Sequence, residues 1–274
     1  DGIRDSVASR GLGDVYKRQR YPKGSITFVK EREALLSKII AVDRLVVALD
    51  VPDVEAAEVL LDKLQDSVRI VKIGLELFTS AGPAVVKLAQ DHGKQVFLDL
   101  KYFDINETVK RATARVADLG VQFLTVHAHR KTMQAAVDGK QSHPDLKILA
   151  VTVLTNFSEW DIQESGSTWS ISELVVARTR AAADAGCDGV VASGQEPKSI
   201  RKAIGHKLEI VTPGVRLSGG EKHDQVRVTT PTVAIEQGSD YLVVGRPIRD
   251  AYDPKAIAKV IISEMQMAFD RGTN

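Results

Sequence analysis

The segment FLDLKYFDINET, residues 97–108, carries two aspartates and a lysine in a stretch that begins like a buried strand. Charged side chains are costly to bury unless they are paired or used for chemistry. Asp99 and Lys101 are two residues apart, so a regular strand would turn both side chains to the same face. Asp104 lies past the predicted strand end, so strand periodicity does not place it on that face. The spacing therefore predicts an amine held beside a carboxylate.

Eight short apolar runs, rich in β-branched residues, recur along the chain. They are LVVALD (45–50), IVKIGL (70–75), VFLDLK (96–101), FLTVHA (123–128), ILAVTVL (148–154), GVVAS (189–193), EIVTPGV (209–215) and YLVVGR (241–246). Near-continuous apolar strands are typical of a parallel sheet covered on both faces, and helical patterns lie between them. Eight such units predict an α/β fold, a single-domain (β/α)8 TIM barrel. An open doubly wound sheet is the alternative, although eight units exceed its usual strand count.

Active sites of such barrels lie at the C-terminal ends of the strands. In this chain those ends carry mostly charged residues of both signs: Asp50, Lys72, Asp99, Lys101, His127, Thr155, Arg216 and Arg246. Neighbouring strands are ~4.8 Å apart, so charges on three adjacent strands come within reach of one another. Asp50, Lys72, Asp99 and Lys101 are predicted to form an alternating chain of charges. The alternative is an ion-pair network that only caps the mouth of the barrel.

The eighth predicted strand ends in Gly245 and Arg246, where this fold commonly holds a phosphate group. A glycine lets backbone N–H groups approach an anion, and arginine adds a bidentate fork. The pair therefore predicts a phosphate site. The loop LSGGEKHD, between Arg216 and Gln225, is predicted to close on the phosphate, with an ordinary surface loop as the alternative.

Composition limits the class of protein. Of the 274 residues, 43% are hydrophobic, which suffices for one large core. The 37 basic and 36 acidic side chains nearly balance, so we expect neither nucleic acid nor membrane as a partner. Cys187 is the only cysteine, which excludes an intrachain disulfide and a CxxC metal site. Without an apolar run of about 18 residues or a signal peptide, a cytoplasmic protein is predicted.

Three segments are predicted along the chain: residues 1–19, a lead-in over 20–44 and the barrel over 45–270. Residues 1–19 show no apolar period, and SRGLGDVYKRQ within them matches the translation of a transposon-type sequencing adapter. Our hypothesis is that this stretch is a non-native, disordered leader. A natural disordered leader is the alternative.

The motifs LVVALD, VKIGLELF, LDLKYFDINET, TVLT, TPGVR and VVGRPI, in this order, resemble those of the bacterial orotidine 5′-phosphate decarboxylase family. The resemblance runs from about Leu45 to the last predicted helix. It implies decarboxylation of orotidine 5′-monophosphate to uridine 5′-monophosphate (UMP), the last step of de novo UMP synthesis. It further implies no cofactor, no metal, and a homodimer with shared active sites.

The resemblance also implies roles for individual residues. Lys101 would donate the proton to C6 of the pyrimidine, and the implied catalytic residues are Lys101, Asp99, Asp104 and Lys72. The implied substrate-binding residues are Asp50, Lys72, Asp99, Thr108, Thr155, Arg216, Gln225, Gly245 and Arg246. Thr155 would contact the pyrimidine. The residues on the phosphate side would be Arg216, Gln225, Gly245 and Arg246. Asp104 and Thr108 would reach into the site of the neighbouring subunit.

Some features depart from the family or leave its function open. His127 and His129 form an HxH pair that suggests a metal site, whereas the family's histidine here is structural or peripheral. His129-Arg130-Lys131 stands where the family usually has two glycines. The loop 156–169 holds both tryptophans, which would pack over the base or against their own helix. The rival functions are a Mg²⁺-dependent sugar-phosphate decarboxylase or aldolase of the same barrel group and a non-catalytic nucleotide-binding barrel.

Overall fold

The computed structural model describes residues 40–140, 143–217 and 229–272. Within them, eight parallel strands close in chain order into a barrel. The strands are β1 Leu45–Ala48, β2 Ile70–Gly74, β3 Gln95–Tyr102, β4 Phe123–His127, β5 Lys147–Val151, β6 Gly189–Val191, β7 Glu209–Thr212 and β8 Tyr241–Val244. Pairing of Leu45 with Leu242 joins β1 to β8 and closes the sheet. The predicted (β/α)8 barrel is confirmed.

Helices cover the outside of the barrel. In the described ranges they are α1 Val54–Leu64, α2 Leu75–Ala81, α3 Pro83–Asp91, α4 Asn106–Asp118, α5 Arg130–Lys140, α6 Glu159–Glu164, α7 Ile171–Asp184, α8 Pro197–Ile204, α9 Pro231–Glu236, α10 Arg246–Arg249 and α11 Pro254–Gly272. Short 3-10 helices span Ala41–Asp43 and Gln65–Ser67. Among these helices, none has both the length and the apolar character needed to cross a membrane.

Helix α1 shows how the sequence sets these elements. The Asp53 side chain accepts the Ala56 N–H at 2.8 Å, which satisfies one of the amides that a helix start leaves unpaired. The buried residues Ala57, Leu60, Leu61 and Leu64 recur at helical spacing and form one apolar stripe. Burying this stripe, rather than helix propensity alone, holds α1 on the barrel.

Apolar side chains fill the inside of the barrel: Val46, Ala48, Ile70, Phe97, Phe123, Leu149, Val211, Tyr241 and Val243. The ring of Phe123 lies 5.6 Å from that of Phe97 and 5.4 Å from that of Tyr241. At the N-terminal ends of the strands, Lys147 donates to Glu209 at 2.6 Å. Because side chains and an ion pair fill this end, a ligand is expected at the opposite end.

Several sequence predictions fall outside the described residues. They concern the leader at 1–19, most of the lead-in at 20–44, the glycine pair of the predicted closing loop, and Gln225. The last part of the lead-in is described: the Ala41 N–H donates to Gln266 Oε1 of α11 at 2.9 Å. This hydrogen bond joins the chain just before β1 to the last helix.

Candidate active site

A cavity of about 480 Å³ opens at the C-terminal ends of the strands. Its volume falls in the range of about 300–1,000 Å³ that is typical of small-molecule sites. Its charged lining residues are Asp50, Lys72, Asp99, Lys101, Arg216, Arg246 and Arg249. Cationic side chains thus outnumber carboxylates in the lining, so the cavity suits an anionic ligand.

The predicted alternating chain of charges is present in the floor of this cavity. Lys72 Nζ lies 2.8 Å from Asp50 Oδ1 and 3.7 Å from Asp99 Oδ2. Lys101 Nζ lies 2.8 Å from Asp99 Oδ1, on the far side of the same carboxylate. The side chains of Lys72 and Asp99 are only 11% and 16% exposed, so water screens their attraction weakly. The four residues form one continuous electrostatic unit across three strands.

Asp99 is the central member of this unit. Burial alone would raise the pKa of its carboxyl, but the charges of Lys72 and Lys101 oppose that effect, and hydrogen bonds from Lys101 and Thr125 add to them. The net effect lowers the pKa of Asp99 below its ordinary value of 3.8. Asp99 is therefore a carboxylate at neutral pH, and it holds two ammonium groups in place.

The backbone that presents Lys101 is not the regular strand that the spacing predicted. Leu98 pairs with Leu124 and Tyr102 with Val126, so four steps along β3 match two along β4. Lys101 has a φ of 48°, in the left-handed region that side chains disfavour. Such a bulge re-aims side chains. Asp99 and Lys101 do face the same cavity, as predicted, but a break in the strand brings them there.

Gly74 is a site residue that the sequence interpretation missed. It ends β2 two residues after Lys72, and a Cβ at Gly74 would lie 3.1 Å from Lys72 Nζ and 3.4 Å from Asp50 Oδ1. A side chain at this position would press on the ion pair. The signal in the sequence was a glycine at the end of an apolar strand, on the same face as a lysine.

Of the predicted phosphate-side residues, three line the same cavity: Arg216 after the end of β7, and Gly245 and Arg246 after the end of β8, the strand that pairs with β1. Arg216 is 8% exposed and donates from Nη1 to the Val215 carbonyl at 2.9 Å. A Cβ at Gly245 would touch Ala48 and Asp50 at 3.6 Å, an ordinary contact. Packing among the described residues therefore does not require this glycine. Its predicted role, close approach of an anion, stays a prediction.

Arg249 is a second residue that the sequence interpretation missed. It lines the cavity, and its Nη1 donates to the backbone carbonyl of Asp50 at 2.8 Å. Asp250 holds the same guanidinium through bonds of 2.6 and 2.9 Å. Arg249 thus ties the loop after β1 to the helix after β8. The signal was the spacing in GRPIR, which places Arg246 and Arg249 on one helix face.

Not every predicted site residue lies in the cavity of this chain. Thr155 lines it, but Asp104 and Thr108 are exposed and do not. Asp104 instead accepts the N–H of Ile105 at 2.5 Å. Their neighbours Phe103 and Ile105 are 65% and 76% exposed, which leaves a large apolar surface beside the cavity mouth.

The two histidines pack against the same ring. Phe103 meets His127 and His129 edge to face, at centroid distances of 5.7 and 5.8 Å. Burial, followed by the charges of Lys101 and Arg178, lowers the pKa of His127 below its ordinary 6.5. In the described ranges, no group of three or more His, Cys, Asp or Glu side chains is placed to hold a metal ion.

Trp160 and Trp169 are 64% and 49% exposed, and neither lines the cavity.

Fold and site together define a (β/α)8 barrel with a cation-rich cavity and an alternating ion-pair chain at the C-terminal ends of its strands. Residues 43–261 match the profile of the orotidine 5′-phosphate decarboxylase / HUMPS family. The chain belongs to this family, as its motifs predicted.

Relatives with similar sequences cover nearly the same region. An orotidine 5′-phosphate decarboxylase of Bradyrhizobium diazoefficiens is 48% identical over 233 residues, which are 85% of this chain and 98% of the relative. One from Nitrobacter winogradskyi is 50% identical over 226 residues, 82% of this chain and 94% of the relative. The crystal structure of orotidine 5′-phosphate decarboxylase from Lactobacillus acidophilus superposes with a TM-score of 0.72 at 38% identity, covering 81% of this chain and 99% of that one.

Proposed function

We propose that this chain removes CO₂ from orotidine 5′-monophosphate and releases UMP. The observation that carries the proposal is the ion-pair chain that ends in Lys101, in a cavity that Arg216, Arg246 and Arg249 also line. Family membership supports the same reaction, since the relatives above are named for it. A nucleoside monophosphate would place its ring over the amine and its phosphate against the arginines.

The chemistry requires an acid at one carbon atom. When the bond from C6 to the carboxylate breaks, its electron pair stays on C6 in the plane of the ring, where the π system stabilises it poorly. We assign Lys101 to stabilise this charge through its ammonium and then to transfer one proton from Nζ to C6. This step leaves a neutral amine, CO₂ and UMP. Asp99, 2.8 Å from Nζ, holds the amine in place.

One lysine cannot supply the whole rate enhancement. General acid catalysis typically contributes about 10²–10⁴-fold, whereas enzymes reach about 10⁶–10¹⁷-fold. The remainder has to come from the fixed charges of the site and from binding energy on parts of the substrate that do not react. We assign Asp50 and Lys72 to the ribose hydroxyls and Thr155 to the pyrimidine. Arg216, Gln225, Gly245 and Arg246 are assigned to the phosphate side.

The active unit is proposed to be a homodimer with shared sites. Asp104 and Thr108 are exposed in one chain, yet both lie close in sequence to the strand that carries Lys101: Asp104 in the loop after β3 and Thr108 in the first turn of α4. Phe103 and Ile105 would lose their large exposed apolar surfaces against a second copy. In this arrangement Asp104 supplies the second carboxylate near Lys101 of the partner chain. The predicted location in the cytoplasm and the absence of a nucleic-acid partner stay predictions.

The test is turnover of orotidine 5′-monophosphate by the purified chain, followed by ultraviolet absorbance and by chromatography of the product. We expect UMP to form at an equal rate with and without EDTA. Loss of activity in EDTA, restored by Mg²⁺, would favour the sugar-phosphate enzymes of this barrel group. Tight nucleotide binding without any product would instead favour a non-catalytic binder.

A further inference from the structure

Thr125 lies in the middle of β4, directly beside the strand that carries Asp99 and Lys101. It is fully buried and does not line the cavity. Its Oγ1 accepts the backbone N–H of Lys101 at 2.9 Å and donates to Asp99 Oδ1 at 2.9 Å. The same Oδ1 accepts from Lys101 Nζ at 2.8 Å. The hydroxyl thus joins the main chain of the lysine to the carboxylate that holds its side chain.

The contact to the main chain lies where β3 is irregular. Between Leu98 and Tyr102 the register of β3 on β4 shifts, so the Lys101 N–H leaves the regular ladder. A buried N–H needs another acceptor, and the Thr125 hydroxyl is that acceptor. The same residue has a left-handed φ, which persists only where surrounding contacts stabilise it.

The hydroxyl can bind in only one orientation. A backbone N–H only donates, and a threonine hydroxyl has one proton to give, so that proton is directed at Asp99. The bond from Thr125 to Asp99 does not depend on the charge of the lysine. It therefore holds the carboxylate in position at the moment when the Lys101 amine gives up its proton.

We propose that Thr125 is a positioning residue that sets both the backbone and the carboxylate partner of Lys101. The inference rests on the proposed decarboxylase function and deepens it, because Thr125 acts through Lys101 and Asp99 without touching the substrate. A buried threonine that serves only packing would tolerate replacement by valine. A threonine that positions the amine would not.

The experiment compares Thr125→Val, which removes the hydroxyl at nearly constant shape, with Thr125→Ser, which keeps it. The matched control is Thr179→Val, since Thr179 is equally buried and its Oγ1 has no hydrogen-bond partner among the described residues. Steady-state kinetics with orotidine 5′-monophosphate give kcat and KM separately. Hydrogen exchange at the Lys101 amide reports the backbone contact.

For Thr125→Val we expect kcat to fall about 10- to 100-fold with little change in KM, because small misplacement of a reacting group mainly lowers kcat. The Lys101 amide should exchange faster. Thr125→Ser should retain kcat to within about threefold, and Thr179→Val should match the parent chain. Thr125→Cys, which keeps the size but donates weakly, should fall between the serine and valine variants.

Two outcomes overturn the proposal: an unchanged kcat in Thr125→Val, or equal loss of kcat in the valine and serine variants. If Thr125→Val does not fold, the comparison of Thr125→Cys with Thr125→Ser decides, and equal rates for these two reject the role. The parent chain is assayed alongside. A parent chain without turnover rejects the proposed function, whereas an active parent with an equally active Thr125→Val rejects only the role of Thr125.

Discussion

Lys101 and Asp99 form a 2.8 Å ion pair across a break in β3, with Lys101 in a left-handed conformation. A strained backbone at a charged residue is a local cost that the surrounding contacts must offset. The bulge in β3 interrupts the regular pairing with β4, and it also directs the Lys101 amine into the cavity.

Removing the amine is expected to stop the reaction while leaving binding intact. Lys101→Ala should lower kcat by about 10³-fold or more, because the proton donor and the charge opposite C6 are both lost. The dissociation constant for UMP should change little, since the phosphate-side residues are untouched. Kinetics and calorimetry measure the two effects. The control is Lys87→Ala, which removes an exposed lysine that does not line the cavity. Near-normal turnover of Lys101→Ala would reject the proton-donor role.

Arg246 is expected to act on the phosphate alone. Arg246→Ala should weaken UMP binding by about 10- to 100-fold, as expected for loss of a charge-assisted contact. Uridine, which lacks the phosphate, should bind the variant and the parent chain equally. Titration calorimetry with the two ligands separates the contributions. Equal weakening for uridine would show that Arg246 acts through the shape of the cavity.

Shared active sites predict complementation between inactive chains. Lys101→Ala and Asp104→Ala should each be inactive alone. In a mixed dimer one site would combine the intact Lys101 of one chain with the intact Asp104 of the other. Random exchange should therefore restore about one quarter of parental activity. Two affinity tags would show that mixed dimers form, and inactive mixed dimers would contradict shared sites.

A methyl group at Gly74 is expected to disturb the ion-pair chain without unfolding the barrel. The φ of −93° at Gly74 suits any residue, but the added Cβ would lie 3.1 Å from Lys72 Nζ. Gly74→Ala should lower kcat/KM by about tenfold or more, because the added Cβ displaces the Lys72 amine from its place in the ion-pair chain. Gly205→Ala, on the surface at the end of α8, tests whether loss of any glycine has this effect. Its thermal midpoint is expected to fall while kcat/KM stays at the parental value.

Asp99 should make stability depend on pH in the acid range. Its pKa is lower in the folded chain than its ordinary value of 3.8, so the unfolded chain binds the proton more readily. The contribution of the Asp99 carboxylate to the free energy of unfolding is therefore complete above pH 3.8, and it is lost as the pH falls through the pKa of Asp99 in the folded chain. Urea unfolding of the parent and Asp99→Asn measures it. The difference in unfolding free energy should shrink with falling pH, and a constant difference would contradict the lowered pKa.

Sequence alone sufficed for the barrel and for much of the cavity. Apolar strands alternating with helical patterns leave few folds, and parallel strands place their C-terminal ends together. Asp50, Lys72 and Asp99 could therefore be assigned to one rim from their places at or near the ends of consecutive strands. Arg216, Gly245 and Arg246 followed from the same rule, applied to the last two strands.

Tertiary structure decided what strand periodicity does not encode. The bulge at Lys101, the hydroxyl of Thr125 beneath it, the closeness of Gly74 to Lys72 and the link from Arg249 to the Asp50 carbonyl all join different elements. Local pattern fixes the face on which a side chain lies, because each element has its own period. Contacts between elements depend on register and on the closure of the whole barrel, and only the folded chain determines these.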